Sequence, residues 1–139
     1  MNFKNKNILV TGANGMIAYQ LIKLLKQKDC NLTLTDIQDE SKYFDDDKYI
    51  GGDLRSRSFS DSICKGQDII FSLVGMKGSP KRCLEAPASL SIPMTQFNAN
   101  IIESAHRNNV EWFLYTSTVG VYEPASVFNE ENVWSTFPS

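Results

Sequence analysis

Short apolar runs alternate with helical patterns along most of this 139-residue chain. Strands that are apolar on both faces and alternate with helices are typical of a parallel sheet that helices cover on both sides. Because crossovers between parallel strands are right-handed, we predict a doubly wound α/β sheet of strand order 3-2-1-4-5. Such a sheet binds ligands where its order reverses, at the carboxyl ends of strands 1 and 4. The predicted strands are 7–11, 32–35, 48–51, 68–74 and 111–116, and the predicted helices are 16–28, 58–65 and 94–108.

Two of the predicted helices carry an apolar stripe that we expect to face the sheet, because apolar residues recur at helical spacing. Segment 77–89 is predicted to be a loop, and it holds Cys83. The stripes are Ile17, Leu21, Leu24 and Leu25 in the first helix and Met94, Phe97, Ile101 and Ala105 in the last.

A glycine-containing turn, residues 11–18, joins the first predicted strand to the first helix. Gly12 permits a tight turn, and Gly15 lets the backbone come close to a diphosphate. The helix that follows presents free N–H groups and the positive end of its dipole to such an anion. Ala18 stands where a third glycine is usual, and it is small enough for close packing of helix and strand. This context predicts a dinucleotide-binding sheet of the Rossmann type.

Two aspartates follow predicted strands at the same edge of the sheet. Asp36 lies 24 residues after Gly12, where a carboxylate can accept both hydroxyls of an adenosine ribose and repel a 2′-phosphate. This position favours NAD over NADP, although a turn or capping role for Asp36 is the alternative. Asp53, after the third strand, either reaches the adenine amino group or caps the helix that follows.

The composition excludes several other classes of protein. Fourteen basic and sixteen acidic side chains give a net charge of −2, which argues against a nucleic-acid-binding protein. No apolar run approaches the roughly 20 residues that cross a bilayer, and no signal peptide is visible. The three cysteines form no Cys-x-x-Cys pair and no cluster has metal-ligand spacing, so we expect a cytoplasmic protein without a metal site.

The motifs of this chain resemble, in order, those of the extended short-chain dehydrogenase/reductases. More narrowly, they resemble the NAD-dependent epimerase/dehydratase family, which includes UDP-glucose 4-epimerase and GDP-fucose synthase. The resemblance covers essentially the whole chain. It implies hydride transfer between NAD and a nucleotide sugar through a transient keto intermediate. The motifs are Thr11-Gly-x-x-Gly-x-x-Ala18, Gly52-Asp-Leu54, Asp68-Ile-Ile-Phe-Ser-Leu-Val-Gly75 and Phe113-Leu-Tyr-Thr-Ser-Thr-Val-Gly-Val-Tyr122.

The resemblance also implies roles for individual residues. Thr118 matches the Ser/Thr that hydrogen-bonds the reacting hydroxyl or carbonyl, with Ser117 as the alternative if the register shifts by one residue. Lys77 is implied to contact the nicotinamide ribose, and Thr116 to lie beside the nicotinamide. The other implied cofactor contacts are Gly12, Asn14, Gly15, Met16 and Ile17 at the diphosphate, with Asp36, Asp53, Leu54, Leu73, Val74 and Gly75 at the adenosine.

The chain departs from the family pattern in two respects. Pro93-Met94 stands where members often have a cofactor-contacting Asn, so we assign none to Asn98 or Asn100. The family's base is a Tyr followed four residues later by a Lys, which lowers the tyrosine pKa. No such pair follows the fifth predicted strand, since the last lysine is Lys81.

We therefore expect residues 1–118 to be the N-terminal part of a Rossmann domain and 119–139 to be a loop leading to the absent Tyr-x-x-x-Lys helix. The 139-residue chain is expected to be inactive alone, with a sheet that is incomplete on its C-terminal side. Its exposed fifth strand is expected to promote self-association. The alternative is a stand-alone dinucleotide-binding module without catalysis.

Overall fold

Five parallel strands form one sheet in the computed structural model, which describes residues 2–45, 48–122 and 125–135. The strand order is β3-β2-β1-β4-β5, which confirms the predicted topology. The strands are β1 (Asn7–Thr11), β2 (Asn31–Thr35), β3 (Lys48–Tyr49), β4 (Ile69–Ser72) and β5 (Trp112–Tyr115). The helices are α1 (Met16–Leu25), α2 (Arg57–Cys64), α3 (Pro80–Glu85) and α4 (Ala88–Arg107), with 3₁₀ turns at Val119–Val121 and Glu130–Ser135.

The central strand β1 divides the core into two apolar clusters because successive side chains of a strand point to opposite faces. Ile8 and Val10 pack in the cluster beneath α1. Leu9 packs on the other face with side chains of α2 and α4, including Phe97 and Ile101. The sheet is thus covered by helices on both faces, and the carboxyl ends of β1 and β4 lie side by side, since Thr11 is in register with Ser72.

Helix α1 buries only part of its predicted stripe: Leu25 is buried and Leu21 packs against the core, as predicted, but Ile17 and Leu24 do not. Ile17 and Leu24 are 62% and 58% exposed, whereas Ala18, Ile22 and Leu25 are buried. The face that meets the sheet is centred on Ala18, Ile22 and Leu25, one position along the helix from Ile17 and Leu24. Ala18 is fully buried, as close packing of helix and strand requires. The helix also ends at Leu25, three residues before the predicted end.

The segment predicted as a loop at 77–89 contains helix α3 and the start of α4. The Ser79 hydroxyl accepts a hydrogen bond from the Arg82 N–H (3.2 Å) and so caps α3. Helix α4 begins at Ala88 and continues through Pro93, so the predicted start at residue 94 is wrong. Proline lacks an N–H, yet a single lost hydrogen bond near the first turns is tolerated when the rest of a 20-residue helix packs well. Phe97, Ile101 and Ala105 are buried as predicted.

Strand β5 lies at the edge of the sheet and presents apolar side chains to solvent. Trp112 and Leu114 are 59% and 42% exposed, and neither belongs to a core cluster.

We propose that the 139-residue chain self-associates through this strand, because unpaired strand edges template pairing with another chain. Light scattering of concentrated protein should show species larger than a monomer, and Leu114→Lys should reduce them. Ile102→Lys, at a similarly exposed apolar side chain on α4, should leave association unchanged. A monodisperse monomer of the parent chain would contradict the proposal.

Candidate functional site

A cleft of about 350 Å³ opens at the carboxyl ends of the central strands. A smaller hollow of about 200 Å³ lies beside it, at the glycine turn, and shares several of its residues. This is the place where doubly wound sheets bind ligands. The cleft is lined by Gly12, Asp36, Ile37, Gln38, Gly52, Asp53, Leu54, Arg55, Val74, Gly75, Met76, Pro93 and Phe97, and the hollow adds Asn14, Gly15 and Leu73.

Gly12 lies where two backbone segments of this site approach closely. Its φ is +70°, a left-handed conformation that side chains disfavour. A Cβ at Gly12 would lie 2.8 Å from the Leu73 oxygen and 2.8 Å from the Val74 nitrogen. The turn therefore lies against the end of β4, and only glycine permits this contact.

The start of α1 supplies donors for an anion. Gly15 is its N-cap and offers no side-chain cap. The N–H groups of Ala13 and Gly15 donate to the carbonyls of Thr35 (3.1 Å) and Gly12 (2.8 Å). The amides that remain for a ligand are those of the first helical turn, which begins with Met16 and Ile17, since a helix start leaves its first N–H groups without intrahelical partners. Their side chains are exposed.

The Asp36 carboxylate is held in place by two backbone amides. Its Oδ2 accepts from the N–H of Asn14 (3.0 Å), and its Oδ1 accepts from the N–H of Ile37 (2.7 Å). The Asp36 carbonyl in turn accepts from the Gly52 N–H (2.9 Å). Each carboxylate oxygen has a second lone pair, so the group can still accept from a ligand that enters the cleft.

Asp53 and Arg55, which also line the cleft, form an ion pair. Two guanidinium nitrogens donate to Asp53 Oδ2, Nε at 2.8 Å and Nη2 at 2.6 Å, and the Arg55 N–H donates to Oδ1 (2.9 Å). These hydrogen bonds lower the pKa of the Asp53 carboxyl below its ordinary value. The alternative capping role of Asp53 is wrong, because Ser56 is the N-cap of α2 and accepts from the Phe59 N–H (3.4 Å).

Asn100 has a structural role that sequence reasoning did not assign. Its Nδ2 donates to the carbonyls of Leu54 (3.1 Å) and Arg55 (2.8 Å), and so connects α4 to the cleft wall. Asn100 lies between the buried residues Phe97 and Ile101, and a polar side chain at such a position indicates a hydrogen-bonding role. Pro93, at the position where family members often carry Asn, lies in the cleft wall with Phe97.

The residues after β4 and β5 are placed differently with respect to the cleft. Val74 and Gly75 line it, and Leu73 lines the adjoining hollow. Lys77 is exposed and is not a lining residue. Residues 116–118 follow β5 and are all exposed, and none lines the cleft. Thr118 Oγ1 accepts from the Gly120 N–H (3.3 Å).

Two negative findings concern the described ranges, 2–45, 48–122 and 125–135. No helix in them is long and apolar enough to cross a membrane. No group of three or more His, Cys, Asp or Glu side chains in those ranges could hold a metal ion.

The fold and the cleft define a Rossmann-type nucleotide-binding class, and a family comparison identifies the family. The profile of the NAD-dependent epimerase/dehydratase family matches residues 8–137, so this chain belongs to that family. The comparison with curated proteins gives no match.

Solved structures with the same fold include two epimerases and a protein with UDP-glucuronic acid and NAD bound. UDP-N-acetylglucosamine 4-epimerase from Methanobrevibacter ruminantium M1, in complex with UDP-N-acetylmuramic acid, is 21% identical with a TM-score of 0.79, over 98% of this chain and 44% of that one. Epimerase Mth375 from Methanothermobacter thermautotrophicus is 20% identical with a TM-score of 0.79, and the match covers 93% of this chain and 41% of that one. MoeE5 in complex with UDP-glucuronic acid and NAD is 23% identical with a TM-score of 0.79, and the match covers 96% of this chain and 42% of that one. This chain thus spans less than half the length of these proteins.

Proposed function

We propose that this chain is the NAD-binding portion of an enzyme that acts on a nucleotide sugar. The observation that carries the proposal is the meeting of three features at one cleft: the tight Gly12 turn, the uncapped start of α1 and the amide-bound carboxylate of Asp36. A diphosphate needs amides and close backbone approach, and a ribose diol needs an acceptor pair beside it. Neighbouring structures with NAD and UDP-sugars bound support the same ligand classes.

The adenosine end of the ligand fits the larger part of the cleft. Asp36 would accept the ribose hydroxyls while its orientation is maintained by the two amides that it already binds. The apolar walls formed by Val74 and Phe97 suit a purine ring. Asp53 would reach the adenine amino group with the carboxylate ionised, because Arg55 stabilises its charged form.

Thr118 is the residue of this chain that we propose takes part in the reaction. When bound, NAD would accept a hydride from a sugar carbon, as the family's chemistry implies. Thr118 would hydrogen-bond the sugar hydroxyl as it becomes a carbonyl, with Ser117 as the alternative. The Thr118 side chain is exposed and follows by three residues the last pair of β4 and β5, Ser72 with Tyr115, so it is accessible to a substrate.

A stand-alone dinucleotide-binding module is the second candidate function. The observation in its favour is that the cleft and the adjoining hollow are lined entirely by residues 12–97. The reading frame beyond Ser139 discriminates the two. A Tyr-x-x-x-Lys soon after Ser139 supports the enzyme, and a stop codon there supports the module.

Calorimetric titration of the 139-residue chain with NAD and NADP tests the proposal. NAD is expected to bind at least about tenfold more tightly than NADP, because Asp36 accepts ribose hydroxyls and repels a 2′-phosphate. With NAD and UDP-glucose or UDP-N-acetylglucosamine, no NADH should appear, since the tyrosine base is absent. The absence of binding of either dinucleotide would contradict the proposal, and NADH formation would contradict the expected inactivity.

A further inference from the structure

The Asn14 side chain does not point into the cleft but binds the loop that follows β2. Its Nδ2 lies 3.2 Å from Gln38 Oε1, 3.1 Å from the Glu40 oxygen and 3.2 Å from the Tyr49 hydroxyl. Its Oδ1 accepts from the Lys42 N–H (2.7 Å). The polar atoms of this amide are thus all engaged by residues 38–42 and by Tyr49, which is the end of β3.

The loop at residues 37–43 is held by Asn14 at its centre, by the Gly51 backbone behind Gln38 and Asp39, and by Tyr43, whose ring lies 4.8 Å from that of Tyr19. Most of its side chains are exposed, including Ile37 at 60%, so apolar burial contributes little to its path. The Tyr49 hydroxyl donates to the Gln38 oxygen (2.8 Å), which adds to the same hydrogen-bond network. Beyond it, Phe44 is buried and stacks on Tyr19 of α1 at 5.6 Å between ring centroids. Between Asp36 and Phe44, Asn14 is the residue that connects this loop to the glycine turn.

The backbone of Asn14 binds the acid at the start of the same loop. Its N–H donates to Asp36 Oδ2 (3.0 Å), so a single residue of the glycine turn binds both Asp36 and the loop. Asn14 therefore connects the turn that would bind the diphosphate to the carboxylate that would bind the ribose. A 2′-phosphate would meet the Asp36 carboxylate, and the contacts of the Asn14 side chain with Gln38, Glu40 and Lys42 oppose a movement of this loop away from the turn.

We propose that Asn14 is a positioning residue that sets the preference for NAD over NADP by holding loop 38–42 against the glycine turn. The inference rests on the proposed function and extends it. It differs from the diphosphate contact that the sequence implied for Asn14, because a diphosphate contact would affect NAD and NADP equally.

Calorimetric titration of Asn14→Ala with NAD and with NADP tests this inference. The backbone N–H to Asp36 survives the change, whereas loop 38–42 loses its side-chain contacts with Asn14 at Gln38, Glu40 and Lys42, so the ratio of NADP to NAD dissociation constants is expected to fall about tenfold. Amide hydrogen exchange should accelerate at residues 38–42 and stay unchanged in β1 and β4. Tyr49→Phe removes one acceptor of Asn14 and the donor to Gln38. It should lower the ratio about threefold without removing a core contact.

Asn31→Ala is the matched control. The Asn31 side chain donates to Asn7 Oδ1 (3.1 Å) at the opposite, amino end of the sheet. In Asn31→Ala, the ratio of NADP to NAD dissociation constants and the amide hydrogen exchange of residues 38–42 should equal those of the parent chain. An unchanged ratio in Asn14→Ala, or equal weakening of both dinucleotides, would overturn the inference alone, as would unchanged exchange in loop 38–42. If the parent chain binds no NAD, the proposed function and this inference both fail.

Discussion

Gly12→Ala is expected to weaken NAD binding by at least about a hundredfold, since more than about 2.8 kcal/mol of geometry-dependent binding free energy would be lost. An alanine at φ +70° is strained by about 1–2 kcal/mol. Its Cβ would also lie 2.8 Å from backbone atoms of Leu73 and Val74, which cannot rotate away as a side chain can. The turn must therefore move away from β4, and the amides at the start of α1 move with it. Titration calorimetry with NAD measures the loss.

Gly66→Ala is the matched control for this change. Gly66 has a φ of +74°, and nothing lies within 4 Å of the position of an added Cβ. It follows α2, away from the cleft, so the variant should be destabilised by about 1–2 kcal/mol and bind NAD as the parent does. Denaturant unfolding of both variants separates loss of stability from loss of the site. A folded Gly12→Ala variant with parental NAD affinity would show that the turn does not position the ligand.

Asp36→Ala is expected to weaken NAD binding about tenfold to a hundredfold, because hydrogen bonds to a charged group contribute about 1.5–3 kcal/mol. NADP binding should be unchanged or stronger, since the charge that repels the 2′-phosphate is removed. The preference for NAD should fall about a hundredfold or be reversed. Parallel titrations with the two dinucleotides give the ratio directly.

Asp39→Ala removes the same charge from the same loop and is the control for this variant. Asp39 is exposed and, unlike Asp36, does not line the cleft. Its removal should change the preference for NAD by less than about threefold, because exposed charges are screened by solvent and salt. Equal effects of the two variants would show that the net charge of the loop, rather than an Asp36–ribose contact, sets the preference.

Local patterns predicted the strands well because burial of β1 and β4 on both faces gives continuous apolar runs and β5 also has an apolar sequence. Strand β1 has its predicted bounds, and the other four lie within two residues of theirs. The positions of Gly12 and Asp36 also followed from the sequence, since each directly follows a recognisable strand in a sheet whose ligand edge is determined by topology. Helix α3 was not predicted because its six residues, which begin with Pro80, are too few to show a helical repeat of apolar positions.

The sequence by itself determined the sheet order, the family and the edge of the sheet where a ligand would lie, because these depend on periodicity and on short motifs along the chain. Only the tertiary structure decided which stripe of α1 is buried, that Arg55 pairs with Asp53, and that the Asn14 side chain binds loop 38–42. Those outcomes depend on distances between segments that lie far apart in the chain. A side chain with several possible partners selects among them only when folding brings the partners within hydrogen-bonding distance.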